Sequence, residues 1–165
     1  MLARRHHRLY LAPALTVLGL LATSAVPASA GAAPPQGAVQ QAHAMQAWFK
    51  KVGGAWEKVQ ADLRAVTSAS QSGKPTAVTA PCTNLVVDVS TLRKQPPAPA
   101  ASINAPWQAA LRALAAGGNL CKGAAGQPSS AASVMHHAEA YLSTAERDIE
   151  QAAAKENALT ATAKK

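Results

Sequence analysis

The side chains of this 165-residue chain that could bind a cofactor are a few methionines and histidines. Met135 directly precedes His136 and His137, and His43 lies two residues before Met45. Helical bundles hold haem between Met and His side chains of different helices, so a haem- or copper-binding bundle is one functional alternative. The spacing argues against it, because adjacent histidines point about 100° apart on a helix and neither pair has the i, i+4 spacing of a metal-binding face.

Residues 1–30 have the pattern of a cleavable secretory signal peptide. A start with three arginines precedes an apolar stretch from Leu9 to Val26, and the small residues Ala28 and Ala30 mark a cleavage site. We expect the mature chain to begin at Gly31 and to be secreted, either free outside the cell or associated with the cell wall. A retained membrane anchor is the open alternative, since a bilayer span needs roughly 20 apolar residues.

Export decides the chemistry that Cys82 and Cys121 can perform. Cysteines in an oxidising compartment form disulfides, and two cysteines allow one intramolecular pairing. A bond between them closes a loop of about 40 residues and constrains the unfolded chain by ~4 kcal/mol on the loop-entropy estimate. This disulfide also removes the only thiol nucleophiles of the chain.

The chain has no motif for catalysis, so we expect no catalytic, metal-binding or cofactor-binding residues and a non-enzymatic protein. There is no nucleophile elbow, zinc-protease motif or glycine-rich phosphate loop. The acidic residues, among them Asp62 and Asp88, fall mainly away from the apolar helix stripes and are interpreted as solvated charge. No basic and aromatic pattern points to nucleic acid. We expect a protein that acts by contact with a cell-envelope component or another secreted protein.

Charge gives this contact only weak support. Removal of the three signal arginines leaves 13 basic and 8 acidic residues, a net charge of +5, which favours at most weak attraction to membrane surfaces or anionic wall polymers. Trp48, followed by Lys50 and Lys51, is a candidate contact for a membrane interface or polysaccharide. The alternative is that Trp48 packs at the edge of the core against the fourth helix.

Apolar residues spaced three and four apart predict four helices in the mature chain. Their apolar stripes include, in chain order, Met45, Phe49, Val52, Trp56, Val59, Leu63 and Val66; Cys82, Leu85, Val89 and Leu92; Trp107, Leu111 and Leu114; and Ala131, Ala138, Ala145 and Ala152. The first helix covers about 38–68 and contains Gly53-Gly54 off its apolar stripe, and the second starts with Thr79 or Ala80 as its cap and Pro81 in its first turn. The third covers about 105–122 with Asn104 as its cap, and the fourth follows the serines of 128–130, which can cap it. The prolines of 95–100 form an extended connector.

These elements define an all-α fold, an up-down antiparallel four-helix bundle with one disulfide, preceded by the signal peptide. The bundle domain covers 38–158, after a disordered leader at 31–37 and before a frayed tail at 159–165. Cys82 opens the second helix and Cys121 closes the third, so their bond requires antiparallel neighbours. The stripe of the fourth helix is dominated by alanine, and we expect it to pack against the bulky first helix.

Several residues of the mature chain carry a resemblance to a known group. They are Trp48, Cys82 followed by Leu85, Pro96-Pro97-Ala98-Pro99, Trp107 with Ala110-Leu111, and Cys121 before Gly123. In these positions the chain resembles uncharacterised small exported helical-bundle proteins of high-GC Gram-positive bacteria. The resemblance implies a helical, disulfide-linked exported domain without established activity. The chain departs from that pattern at Gly117-Gly118, where helix formers are expected, so we expect a less regular end of the third helix.

Overall fold

The computed structural model describes residues 36–72, 74–124, 126–127 and 130–163, which all belong to one compact unit, Ala32–Lys165. The predicted signal peptide and its cleavage residues, Ala28, Ala30 and Gly31, lie outside the described residues. The described residues form four α-helices and a short 3₁₀ helix: α1 Gln36–Gln71, the 3₁₀ helix Pro75–Val78, α2 Thr79–Arg93, α3 Ala101–Ala124 and α4 Ala131–Ala163. No strand occurs in this part of the chain, which confirms the predicted all-α class there.

The first helix is longer than predicted and runs without interruption through Gly53-Gly54. It begins at Gln36, inside the segment expected to be a disordered leader. Its predicted stripe divides into two rows that each recur every seven residues. One row is fully buried and consists of Met45, Val52, Val59 and Val66; the other is half-buried and consists of Phe49, Trp56 and Leu63.

The predicted apolar stripe of α2 forms its buried face, made of Cys82, Leu85, Val89 and Leu92. The helix begins at Thr79, so the prediction that Thr79 or Ala80 caps it is wrong. Val78 is the N-cap, and it has no side-chain hydrogen bond to the helix. The preceding 3₁₀ helix leads the chain directly into α2, so this start does not depend on a capping side chain.

The third helix begins at Ala101, one turn earlier than predicted. Its first turn is fixed by the Ala100 carbonyl, which accepts a hydrogen bond from the Asn104 backbone N–H at 2.8 Å. The prediction that Asn104 caps this helix is therefore wrong. Its side-chain oxygen instead accepts from the Ala98 backbone N–H at 3.1 Å and so holds the connector. Pro106 consequently lies inside the helix rather than in its first turn.

The glycine pair of α3 does not disturb the helix, which continues regularly to Ala124. Both glycines are buried. A Cβ atom placed on Gly117 would lie 3.1 Å from the backbone oxygen of Ala138 in α4, and one placed on Gly118 would lie 3.0 Å from Val86 Cγ2 in α2. The expected irregularity of α3 is not observed. The two glycines instead let α4 and α2 approach α3 closely, because glycine has no side chain to hold them apart.

The fourth helix packs mainly along α3 and only sparingly against α1. The prediction that its alanine stripe packs on the bulky first helix is therefore wrong. The stripe itself is confirmed, because four alanines spaced seven residues apart are buried: Ala131, Ala138, Ala145 and Ala152. Small residues on both helices allow a closer approach than alanine against tryptophan would give, which explains the choice of partner.

The ends of α4 also differ from the prediction. Ser130 does not cap the helix through its side chain, which bonds back to Gln127 Oε1 at 3.1 Å. Its carbonyl instead accepts the first helical hydrogen bond, from the Val134 N–H at 3.0 Å. At the other end the helix continues to Ala163, into the segment predicted to be frayed.

The helix packing is consistent with a bundle, and α2 and α3 run antiparallel within it. Cys82 near the start of α2 bonds to Cys121 near the end of α3, and Gly118 lies against Val86 one turn farther along α2. Short connections join each helix to the next. None of the helices in the described part of the chain has the length and hydropathy of a membrane span.

Candidate functional site

The predicted disulfide between Cys82 and Cys121 is present. The Cα atoms are 5.8 Å apart, within the usual range for a disulfide, and both residues are fully buried. The bond ties the first turn of α2 to the last turns of α3. Because both sulfurs are bonded to each other, this pair contributes a structural link and no nucleophile.

The bundle has two distinct ends along α3. Near its start, Trp107 packs edge to face on Trp48 of α1, with ring centroids 5.4 Å apart. Near its end, Gly117 lies against the Ala138 backbone of α4. These two contacts are ten residues apart along α3, which corresponds to about 15 Å at the helical rise of 1.5 Å per residue.

The methionines of the haem or copper alternative lie at these opposite ends. Met45 lies three residues before Trp48 in α1, and Met135 lies three residues before Ala138 in α4. Each is displaced toward its own end of the bundle, because the chain connections place the start of α1 near the start of α3 and the start of α4 near the end of α3. Side chains near opposite ends of the bundle cannot ligate one metal ion.

The histidines occupy the protein surface. His43, His136 and His137 are exposed, and the rings of the adjacent pair are 6.2 Å apart. Within the described ranges, no group of three or more His, Cys, Asp or Glu side chains is placed to hold a metal ion. Met135 is half-buried against the core, and Met45 is fully buried.

Trp48 is a core residue, which corrects its prediction as an exposed contact. It is 5% exposed, and its indole Nε1–H donates to the Pro96 carbonyl at 2.8 Å. Its ring packs edge to face on Phe49 and Trp107, and Trp56 packs on the other side of Trp107. The ring thus reaches the connector and α3.

The carboxyl groups of Asp62 on α1 and Asp88 on α2 face each other. Asp62 Oδ2 is buried and accepts no hydrogen bond from a donor group among the described residues. Burial, followed by the hydrogen-bonding and like-charge effects of Asp88, raises the pKa of Asp62 from 3.8 to about 6. Two carboxyl groups this close favour a state in which one carries a proton. The charge of the pair therefore changes near pH 6.

Sequence reasoning interpreted both aspartates as solvated charge. Each directly neighbours a residue of an apolar stripe, Leu63 on α1 and Val89 on α2. A neighbour of a stripe residue points about 100° from it and so lies at the edge of the helix interface. Periodicity could have placed both residues at an edge, but only the register of α1 against α2 brings the two edges together.

Two carboxyl groups of α4 are also partly withdrawn from water. Burial raises the pKa of Glu146, with a further contribution from the charge of Glu150. Burial alone raises the pKa of Glu156. Protonation of these groups changes the charge of the α4 surface. Neither pKa shift involves a carboxyl group on another helix.

Comparisons with protein-family models, with curated proteins and with solved structures find no match to this chain. The resemblance to exported helical proteins therefore stays a prediction.

Proposed function

We propose that this protein is exported, is not an enzyme and acts by binding, in the extracellular space or at the cell envelope. The observation that carries the proposal is the buried disulfide between Cys82 and Cys121, which links two helices of a chain whose first residues have the pattern of a signal peptide. Disulfides form and persist in oxidising compartments. The bond and the signal pattern thus support the same location independently.

The arrangement of the reactive side chains supports a role by contact. The two thiols are joined, and the methionines Met45 and Met135 lie at opposite ends of the bundle. The side chains that form the core of the described residues are apolar. We propose a cell-envelope component or another secreted protein as the partner, recognised by the outer helix faces.

Export is tested by expressing the complete chain in a bacterial host and analysing cells, envelope and medium separately. We expect the exported form to begin at Gly31 and to weigh two hydrogens less than the reduced chain. Ala30→Arg is the matched control, because a large charged residue at the small-residue position should prevent cleavage. A full-length cytoplasmic product with two alkylatable thiols would contradict the proposal.

The mode of action is tested with the purified mature protein. We expect a partner to be retained from cell-wall or culture-medium fractions, and any binding to anionic vesicles to weaken at high salt, since exposed charges are screened. A visible absorption spectrum and metal analysis address the haem or copper alternative. A Soret band or stoichiometric metal would contradict a contact role without a cofactor.

A further inference from the structure

The facing carboxyl groups of Asp62 and Asp88 join two helices at a place where a proton changes the contact. Asp62 Oδ2 is enclosed at the α1–α2 interface without a hydrogen-bond donor. An ionised carboxylate only accepts hydrogen bonds, whereas a protonated one also donates. A buried acceptor without a donor is unfavourable, and a proton on Asp62 would turn it into a donor to the Asp88 carboxylate.

We propose that the Asp62–Asp88 pair is a proton-operated contact between α1 and α2. Under mildly acidic conditions one shared proton joins the two helices through a carboxyl–carboxylate hydrogen bond. At neutral pH the proton is lost to solvent, and two like charges face each other across the interface. The contact works in any compartment, so it does not depend on the proposed export.

The positively charged side chains near the Asp62–Asp88 pair do not compensate its negative charge. Burial and Asp88 together raise the pKa of Asp62 to about 6, and no cation contributes to that shift. Lys58 lies one turn earlier on α1, and Arg93 ends α2, yet neither affects it. The 3₁₀ helix packs on both α1 and α2, and it has no titratable side chain. On α4, Glu146 is partly buried but interacts with its own neighbour Glu150.

The direction of the pH effect follows from this shift. The pKa of Asp62 in the folded protein, about 6, exceeds its ordinary value of 3.8. The folded state therefore binds the proton more tightly than the unfolded state does, and the free energy of unfolding increases as pH falls. The stabilisation is complete below about pH 4 and is lost as pH rises through about 6.

The position of the pair makes α1 the helix that responds. The backbone of α1 packs mainly on α2 and less on α4, and α1 reaches α3 through the rings of Trp48 and Trp56. A weaker α1–α2 contact therefore loosens α1 more than any other helix, while the disulfide still holds α2 to α3. Acidity thus controls how firmly the first helix is attached to the rest of the bundle.

The test compares the wild-type protein with Asp62→Asn, which mimics the protonated side chain, and with Asp88→Asn. The matched control is Glu57→Gln, which removes one charge from an exposed position of α1. The thermal midpoint is measured from pH 4.5 to 7.5 at constant ionic strength. We expect the wild-type midpoint to rise by about 3 °C between pH 7 and 5, and amide exchange in α1 to slow relative to α3.

The difference between wild type and Asp62→Asn is the decisive quantity, because Glu146 and Glu156 add their own pH dependence to both proteins. We expect this difference to change with a midpoint near pH 6, as for Asp88→Asn, and not for Glu57→Gln. A difference that stays constant with pH would overturn the proposal. Carbon-13 NMR titration of the wild-type carboxyl groups needs no variant, and an Asp62 midpoint near 4 would overturn it equally.

Discussion

Adjacent glycines occur in the interior of two helices, in opposite surroundings. Gly53 and Gly54 of α1 are partly and fully exposed, with open space where a Cβ atom would be. Gly117 and Gly118 of α3 are buried, and a Cβ atom on either would lie within 3.1 Å of a neighbouring helix. Each glycine costs its helix about 1 kcal/mol relative to alanine. Only the pair in α3 offsets that cost, because it allows close packing of the neighbouring helices.

The difference shows that the bundle uses two kinds of helix contact. Helix α3 approaches its neighbours closely through glycines, buried alanines of α4 and the disulfide to α2. Helix α1 reaches its neighbours through large side chains, as in the Trp48 and Trp56 contacts with Trp107. Changes at the close contacts should therefore cost more than changes along α1, and four predictions test this order.

The largest effect is expected from the covalent part of the close contacts. The variant Cys82→Ala/Cys121→Ala opens a loop with a sequence separation of 39, and the free energy of unfolding should fall by ~4 kcal/mol on the loop-entropy estimate. Urea unfolding measures it. The wild-type protein with both cysteines reduced is the control and should lose a similar amount. A loss of less than about 1 kcal/mol would show that the bond adds little to the packing of α3.

The second prediction concerns the glycine that faces α4. Gly117→Val places side-chain atoms against the Ala138 carbonyl and Leu142, both 3.1 Å from the Cβ position. A backbone oxygen cannot move aside, so the free energy of unfolding should fall by about 1–3 kcal/mol, as for other overpacked cores. Gly54→Val is the matched control in open space and should be neutral or slightly stabilising. Equal effects at both positions would remove the distinction between the two helices.

The third prediction tests the side-chain contacts of α1. Trp48→Phe removes the hydrogen bond to the Pro96 carbonyl and should lower the free energy of unfolding by about 1 kcal/mol, the usual net contribution of such a bond. The connector should also exchange its amide hydrogens faster. Trp56→Phe reduces a half-buried ring of the same cluster and should cost less. An equal or larger cost at Trp56 would show that ring size, rather than the hydrogen bond, determines the contact.

Helix faces could be predicted from the sequence, whereas helix partners could not. Spacing identified the buried face of α3, including Trp107, Leu111 and Leu114, because a period of 3.6 determines which residues share a side. It did not identify α3 as the main partner of α4. That choice depends on how closely two backbones can approach, and the sequence shows the glycines without showing what lies opposite them.

The same limit applies to the candidate site. The disulfide was predictable, because two cysteines allow only one intramolecular pairing. The facing carboxyl groups of Asp62 and Asp88 were not, because each belongs to a different helix and their proximity depends on the register between α1 and α2. Asn104 was misinterpreted for a related reason: its side chain bonds to the connector rather than to its own helix.

The smallest expected effect has the opposite sign and comes from the exposed glycines of α1. Gly53→Ala and Gly54→Ala add a methyl group in open space, so each should raise the free energy of unfolding by about 0.5–1 kcal/mol through helix propensity alone. Gly117→Ala is the control, because the same gain is opposed there by a contact at 3.1 Å. In urea unfolding, the two α1 substitutions should raise the free energy of unfolding, whereas Gly117→Ala should not. Destabilisation by both α1 substitutions would mean that these glycines serve a contact or a bend of α1 that open space does not explain.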